Sequence, residues 1–293
     1  MRSGGIVDFN EHTATEAVQN SFSETPDVRL QELLNTLTRH LHAFVREARP
    51  SVQEWEQAIE FLTAVGQTCT DTRQEFVLLS DVLGVSMLVE TLNEQEGGTE
   101  STVLGPFHMV ESPPRALGDT IDLVGEAEPC VVSGRVLSTD GTPLPHAEVD
   151  VWQCNEKGFY DVQQPGSQPS GNGRGLFRAD AEGRFRFRTI VPSHYPIPTD
   201  GPVGRLLKAT RRHPYRPAHI HFIVQAPGYM PLTTHIFVAG SPYLDSDAVF
   251  AVKQGLIVDF AESDDEEAAA RNGVQAPFRH AEFDLVLSAE RAA

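Results

Sequence analysis

The hydrophobic period of this chain changes once, near Gly97 and Gly98, from about 3.6 residues before them to about 2 after them. Helices must therefore come first and strands second, because a helical stripe cannot line one face of a sheet. From Val28 the positions Leu30, Leu33, Leu34, Leu37, Leu41, Phe44 and Val45 fall on one helix face, and Pro50 ends the segment. Ser51 and Glu54 have the spacing of a capping box, and Trp55, Ile59, Leu62 and Val65 continue on one face of a second helix. A third helix is expected from Thr72 to Leu92. Its middle, FVLLSDVLGVSMLVE, is apolar nearly all round and is expected to be buried. Asp81 lies inside that run. A buried carboxylate needs a partner, so Asp81 is either a structural hydrogen-bond acceptor or a group facing a pocket.

After the two glycines, CVVSGRVLSTDGTPLPHAEVDVWQCN reads as strand, turn, strand, with Asp140 and Gly141 as the hairpin signal. RFRFRTIV, AHIHFIVQ, PLTTHIFV and FDLVL follow as further strands. The expected fold is mainly β with an α-helical N-terminal domain. Residues 1–100 form the helical part, and 101–293 form an antiparallel β-sandwich core that carries the site.

Charge excludes some partners. Against 41 acidic side chains stand 23 Lys and Arg, a net charge of −18, which repels phosphate backbones and makes nucleic acid an unsuitable partner. The acidic run of Glu262, Asp264, Asp265, Glu266 and Glu267 reads as a solvated loop or helix face. Cys69, Cys130 and Cys154 are too few and too scattered for a disulfide framework. The N-terminus has no secretory pattern, and no apolar run approaches the roughly 20 residues that span a bilayer. The expected compartment is the cytoplasm.

The chemistry gathers around RPAHIHF, residues 216–222. In a strand, His219 and His221 share one face while Ile220 and Phe222 point to the other, a means of mounting a metal on a sheet. An H-x-H alone is equally a pair of surface histidines. Tyr160 in NEKGFYDVQ and Tyr195 in VPSHYPIPTDGPVG each lie in or beside a Gly- or Pro-rich loop after a strand. Taken singly, each is an amphipathic residue at a loop–core boundary. Taken with the histidines they suggest two phenolates and two imidazoles around one ion. Two hard anionic oxygens stabilise a trivalent metal, so Fe(III) fits this set better than Fe(II), Zn(II) or copper.

The order Tyr160, Tyr195, Arg216, His219, His221, with GPFH at 105–108, resembles the intradiol ring-cleavage dioxygenases, over residues about 25 to 290. Within them the chain is most similar to the catechol and hydroxyquinol 1,2-dioxygenase branch. The resemblance implies an Fe(III) cofactor held by Tyr160, Tyr195, His219 and His221, a diol substrate and O2. It implies that Tyr195 dissociates as a base when substrate arrives, and that Arg216 stabilises negative charge developing on the ring. It lines the pocket with Leu78, Asp81, Val103, Gly105, Pro106, Phe107, Ile197, Pro198, Arg216 and Val249. It further implies a homodimer built through the helical region, with bound phospholipid at the dimer interface as a candidate partner.

The segments around SHYPIPTDGPVG and TTHIFVAGSPYLDSDAVF are closer to the hydroxyquinol members, and His235 stands where catechol members carry Gln. Hydroxyquinol (benzene-1,2,4-triol) is therefore the expected substrate, with 3-hydroxy-cis,cis-muconate, the enol of maleylacetate, as product. A third ring hydroxyl would give Asp81 a partner. Catechol or chlorocatechol is the alternative substrate. A transthyretin-like binding module without chemistry shares the sandwich texture, and a zinc hydrolase shares H-x-H, but neither has a use for the two tyrosines.

Overall fold

The computed structural model describes residues 8–290 except Thr72, Gln95, Met109 and Glu126. The chain forms two compact units that divide between Thr63 and Ala64. The first contains α1 (Ala14–Ser21), α2 (Val28–Ala48) and most of α3 (Val52–Thr68), which runs across the division. Asp27 caps α2 by accepting from the Leu30 N–H, and Arg49, with φ of 49°, ends it just before Pro50. The Ser51–Glu54 capping box closes reciprocally at 2.8 and 3.2 Å. Polar bonds join α1 to α2, including Gln19 to the Asn35 carbonyl at 3.0 Å and Arg46 to Thr15 at 2.6 Å. The apolar row Leu30, Leu33, Leu37, Leu41 and Phe44 on α2 stays exposed, as do Trp55, Ile59 and Leu62 on α3.

The long third helix expected from the sequence is two short ones, α4 (Glu75–Val82) and α5 (Val85–Asn93). Gly84 adopts φ of 71° between them, a left-handed turn that stops α4. The start expected at Thr72 lies outside the described residues. Burial is one-sided: Leu78, Leu79, Val82 and Met87 are buried, whereas Phe76, Val77, Leu83, Val85, Leu88 and Val89 are exposed. Both helices cluster with the sheets, so the compact division falls earlier than the change of period at residue 100. Polar bonds tie them there. Arg73 pairs with Glu75 at 2.9 Å and Asp200 at 2.8 Å, Glu75 accepts the Val203 N–H, and Arg212 donates to the Val82 carbonyl at 2.6 Å.

The remaining elements are β1 (Pro129–Ser138), β2 (Glu148–Trp152), β3 (Arg174–Arg178), β4 (Arg184–Ile190), β5 (Tyr195–Pro196), α6 (Pro202–Ala209), β6 (Tyr215–Arg216), β7 (His219–Gln225) and β8 (Leu232–Val238). They are followed by β9 (Ile257–Val258), β10 (Ala261–Ser263), α7 (Glu266–Asn272), β11 (Phe278–Glu282) and β12 (Leu285–Leu287). One sheet has the order β10-β11-β1-β12 with β4 on the other side of β1, and the second runs β3-β2-β7-β8-β9. The sandwich is not purely antiparallel: β1 pairs in parallel with β11 and β12, and β8 with β9. Alternation fills the space between the sheets. Val132, Val136, Phe185 and Phe187 of one sheet meet Val149, Val151, Phe177, Ile220, Phe222, Val224 and Ile236 of the other. The acidic run forms β10 and the start of α7, where Asp265 accepts the Glu267 and Ala268 N–H groups. Among the described residues no helix is long and apolar enough to cross a membrane.

Candidate metal centre and active site

With Ile220, Phe222 and Val224 committed to the core, His219 and His221 are forced onto the outer face of β7. Register then decides their neighbours. Trp152 of β2 lies opposite His221 on one side and His235 of β8 on the other. Trp152 stacks on the His221 ring at 4.5 Å with an interplanar angle of 11°, which fixes the imidazole plane. The Nδ1 of His219 lies 2.7 Å from the Pro217 carbonyl, so it holds the proton and leaves Nε2 with a free lone pair.

Loops above this face bring in the tyrosines. Tyr195 on β5 is the register partner of Arg216 on β6, an arrangement set by a two-residue ladder. Tyr160 is held by a 4.6 Å ring stack on Phe107 and by a buried ion pair beneath its loop, Asp161 with Arg174 at 2.8 Å. Arg174 also donates to the Phe107 carbonyl, so one guanidinium ties both aromatic residues down.

The four side chains converge. His219 Nε2 lies 3.1 Å from His221 Nε2, which lies 3.1 Å from Tyr160 Oη, which lies 3.3 Å from Tyr195 Oη. All four residues are about 1% exposed. Burial pushes the Tyr160 hydroxyl well above the ordinary phenol range, with Tyr195 adding to it. Burial also raises Tyr195, where the nearby Arg216 charge pulls the other way. Both imidazoles are driven well below the usual histidine range by burial, helped at His219 by Arg216 and at His221 by His235. Neutral imidazoles thus turn lone pairs toward two phenols that keep their protons until a cation displaces them. Two oxygens and two nitrogens, buried and preoriented, fit the hard trivalent ion that the donor chemistry favours.

His235 is a third buried histidine of the cluster. Its Nδ1 bonds to Thr102 Oγ1, and its Nε2 has no partner among the described residues. Burial, followed by Arg216, lowers its pKa well below the ordinary value. Arg216 reaches the cluster through Nη1, 3.3 Å from His219 Nε2. Its opposite edge is paired with Asp247 at 3.1 Å. Burial works against the Arg216 charge, but Asp247 and the tyrosines outweigh it and raise its pKa.

Beside the cluster opens a cleft of about 500 Å³, lined by Asp81, Val103, Gly105, Pro106, Val77, Val89 and neighbouring side chains. Gly105 joins cleft to cluster: a Cβ built on it would lie 3.2 Å from His221 Cε1. Asp81 is 1% exposed and its Oδ1 has no partner among the described residues. Burial pushes its carboxyl up, and Ser86 and Arg216 draw it partly back. Leu78 is buried one turn before it on α4. Phe107 stands at the tyrosines instead, while Ile197, Pro198 and Val249 do not line the cleft. Val249 donates its N–H to Asp247.

Trp152, Asp247, Arg174 and Asp161 were not singled out in the sequence. Trp152 alone carries a local signal, since its place in EVDVW puts it on the face opposite Val149 and Val151.

Residues 27–100 match the family description "Catechol dioxygenase N terminus", and residues 115–289 match "Dioxygenase". The chain belongs to the intradiol ring-cleavage dioxygenase family. It is 49% identical over 283 residues to a hydroxyquinol 1,2-dioxygenase of Rhizobium sp. strain MTP-10005, covering 96% of each chain. It is 50% identical over 262 residues to a 6-chlorohydroxyquinol 1,2-dioxygenase of Cupriavidus pinatubonensis, covering 89% of this chain and 95% of that one. The solved hydroxyquinol 1,2-dioxygenase of Pseudomonas putida DLL-E4 superimposes with a TM-score of 0.87 at 46% identity, over 96% of this chain and 99% of that one. The helical-then-sandwich organisation and the family that the resemblance implied both hold, and the non-catalytic binding module falls.

Proposed function

We propose that this chain is an Fe(III) hydroxyquinol 1,2-dioxygenase that cleaves benzene-1,2,4-triol with O2 to 3-hydroxy-cis,cis-muconate. One observation carries the reading: the buried Tyr160–Tyr195–His219–His221 cluster meets, at Gly105, a cleft whose lining includes the buried carboxylate of Asp81 beside the half-buried Glu90. The names of the relatives support the same substrate. A ferric ion held by Tyr160, Tyr195, His219 and His221 would supply Lewis acidity that makes the aromatic diol susceptible to O2.

The protein's own groups do the rest. Tyr160, His219 and His221 anchor, each held by a second contact: the Phe107 stack, the Pro217 carbonyl and the Trp152 stack respectively. Tyr195 Oη, whose proton affinity is raised by burial, receives a diol proton as it gives up its place in the cluster. Arg216 Nη1 faces the developing negative charge on the ring carbon. Val103, Pro106, Val77 and Val89 exclude water from the ring faces, and Asp81 bonds the third hydroxyl.

The exposed rows on α2 and α3 support a homodimer through the helical region, with phospholipid acyl chains as a guest at that interface. Three free thiols fit a reducing cytoplasm. Oxygen uptake on a panel of hydroxyquinol, catechol and 4-chlorocatechol tests the substrate. Hydroxyquinol should be turned over with the highest kcat/KM; faster turnover of catechol or chlorocatechol would replace this reading with the alternative one.

A further inference from the structure

Arg216 is a charged side chain at the edge of the ligand cluster, and its own strand is too short to aim it. The β6 segment is two residues long, and the guanidinium is 2% exposed, so a neighbouring group must choose which nitrogen faces the site. That group is Asp247. Its Oδ1 accepts from Nε at 3.1 Å and its Oδ2 from Nη2 at 3.4 Å, a two-pronged grip on one edge of the planar fork. The grip leaves Nη1 on the far edge, 3.3 Å from His219 Nε2.

The carboxylate is itself fixed. Oδ1 also accepts the Val249 N–H at 3.3 Å and Oδ2 the Ala251 N–H at 3.0 Å. The loop carrying it is docked without help from the carboxylate. Ala248 donates its N–H to the Tyr215 carbonyl on β6 at 3.1 Å, and Arg212 donates to the Ala248 carbonyl at 2.9 Å. Asp247 therefore has a position independent of Arg216, which is what a group that orients another requires.

We propose that Asp247 is the positioning residue of the ring-cleavage step, holding Arg216 so that Nη1, and no other nitrogen, meets the charge that develops on the substrate. The proposal rests on the intradiol reading and adds to it a residue with no contact to metal or substrate. Arg216 acts on a charge present only in the transition state, so its misplacement lowers kcat and leaves KM nearly unchanged. A shift of about 1 Å in such a group costs on the order of a hundred-fold in rate. Asp247→Asn keeps the shape, but sets an amide N–H₂ against one guanidinium N–H and removes the charge.

The test compares wild type, Asp247→Asn, Arg216→Met and the double variant. Each is assayed for iron content, visible spectrum, the spectral change on anaerobic addition of hydroxyquinol, kcat and KM. Asp247→Asn should keep its iron, resting colour and anaerobic spectral change, while kcat falls about ten- to hundred-fold and KM changes less than about three-fold. The double variant should be no slower than Arg216→Met, since Asp247 has nothing left to aim. Asp247→Asn at wild-type rate, or a double variant slowed by the product of the two single effects, would overturn the proposal. Should Asp247→Asn fail to fold, the double variant decides, because it removes both buried charges: recovery of folded, iron-loaded protein supports the pairing, and a second failure assigns Asp247 to the loop alone. A wild type without iron or O2 uptake would instead sink the intradiol reading.

Discussion

Replacing Asp81 by Asn should convert a hydroxyquinol-selective site into a less discriminating one. The carboxylate lies in α4, 1% exposed, in a cleft where Val77, Val89, Val103, Leu104 and Pro106 supply apolar wall and Ser80, Ser86 and Glu90 polar wall. Its Oδ1 has no partner among the described residues, and Ser86 is the only hydrogen-bonding side chain drawing on its proton affinity. A substrate hydroxyl reaching that oxygen would make a bond to a charged group, which contributes about 1.5–3 kcal/mol, or about one to two decades in kcat/KM. Catechol lacks the hydroxyl and leaves the acid unpaired, a penalty that Asn reduces. Asp81→Asn should therefore cut kcat/KM for hydroxyquinol by about 10- to 100-fold, with catechol unchanged or improved. The assay is oxygen uptake with both diols, with iron content and Tm as controls. Equal losses on both substrates with iron retained would show that Asp81 supports the helix and that selectivity lies elsewhere.

Tyr160→Phe and His219→Ala each remove an anchor, so both should purify with little iron and little colour, read by metal analysis and absorbance. Gly105→Ala places a Cβ 3.2 Å from His221 Cε1 on a backbone with φ of 75°. The left-handed strain alone costs about 1–2 kcal/mol, so Tm should drop by several degrees and activity should fall further as His221 is displaced. In sedimentation at micromolar concentration the wild type should run at twice the chain mass. Leu37→Asp, in the exposed row of α2, should shift it toward monomer.

Alternation made the centre of the site legible before any coordinates. Ile220 and Phe222 had to face the core, so His219 and His221 had to share the other face, and β7 has that arrangement. The capping box at Ser51 was equally local and equally visible. What local pattern could not show are the features made by topology. Tyr195 meets Arg216 only because β5 and β6 pair, and Asp247 reaches Arg216 from a loop with no regular pattern. Helix α1, ATEAVQNS, has no apolar stripe to announce it and no buried residue. Gly84 sits inside an apolar run that reads as one helix, and only its left-handed backbone breaks it in two. The parallel pairing of β11 and β12 with β1 joins segments about 150 residues apart in sequence, where short strands carry no record of direction.

The central claim is that two phenolates and two imidazoles hold a ferric ion that activates the organic substrate. The most direct measurement is metal content with the visible spectrum of purified wild-type protein, before and after anaerobic addition of hydroxyquinol. About one iron per chain is expected, with a broad phenolate-to-iron charge-transfer band giving a red to burgundy solution, and that band should shift as the diol displaces Tyr195. A colourless protein with full activity, or one active with zinc alone, would contradict the account.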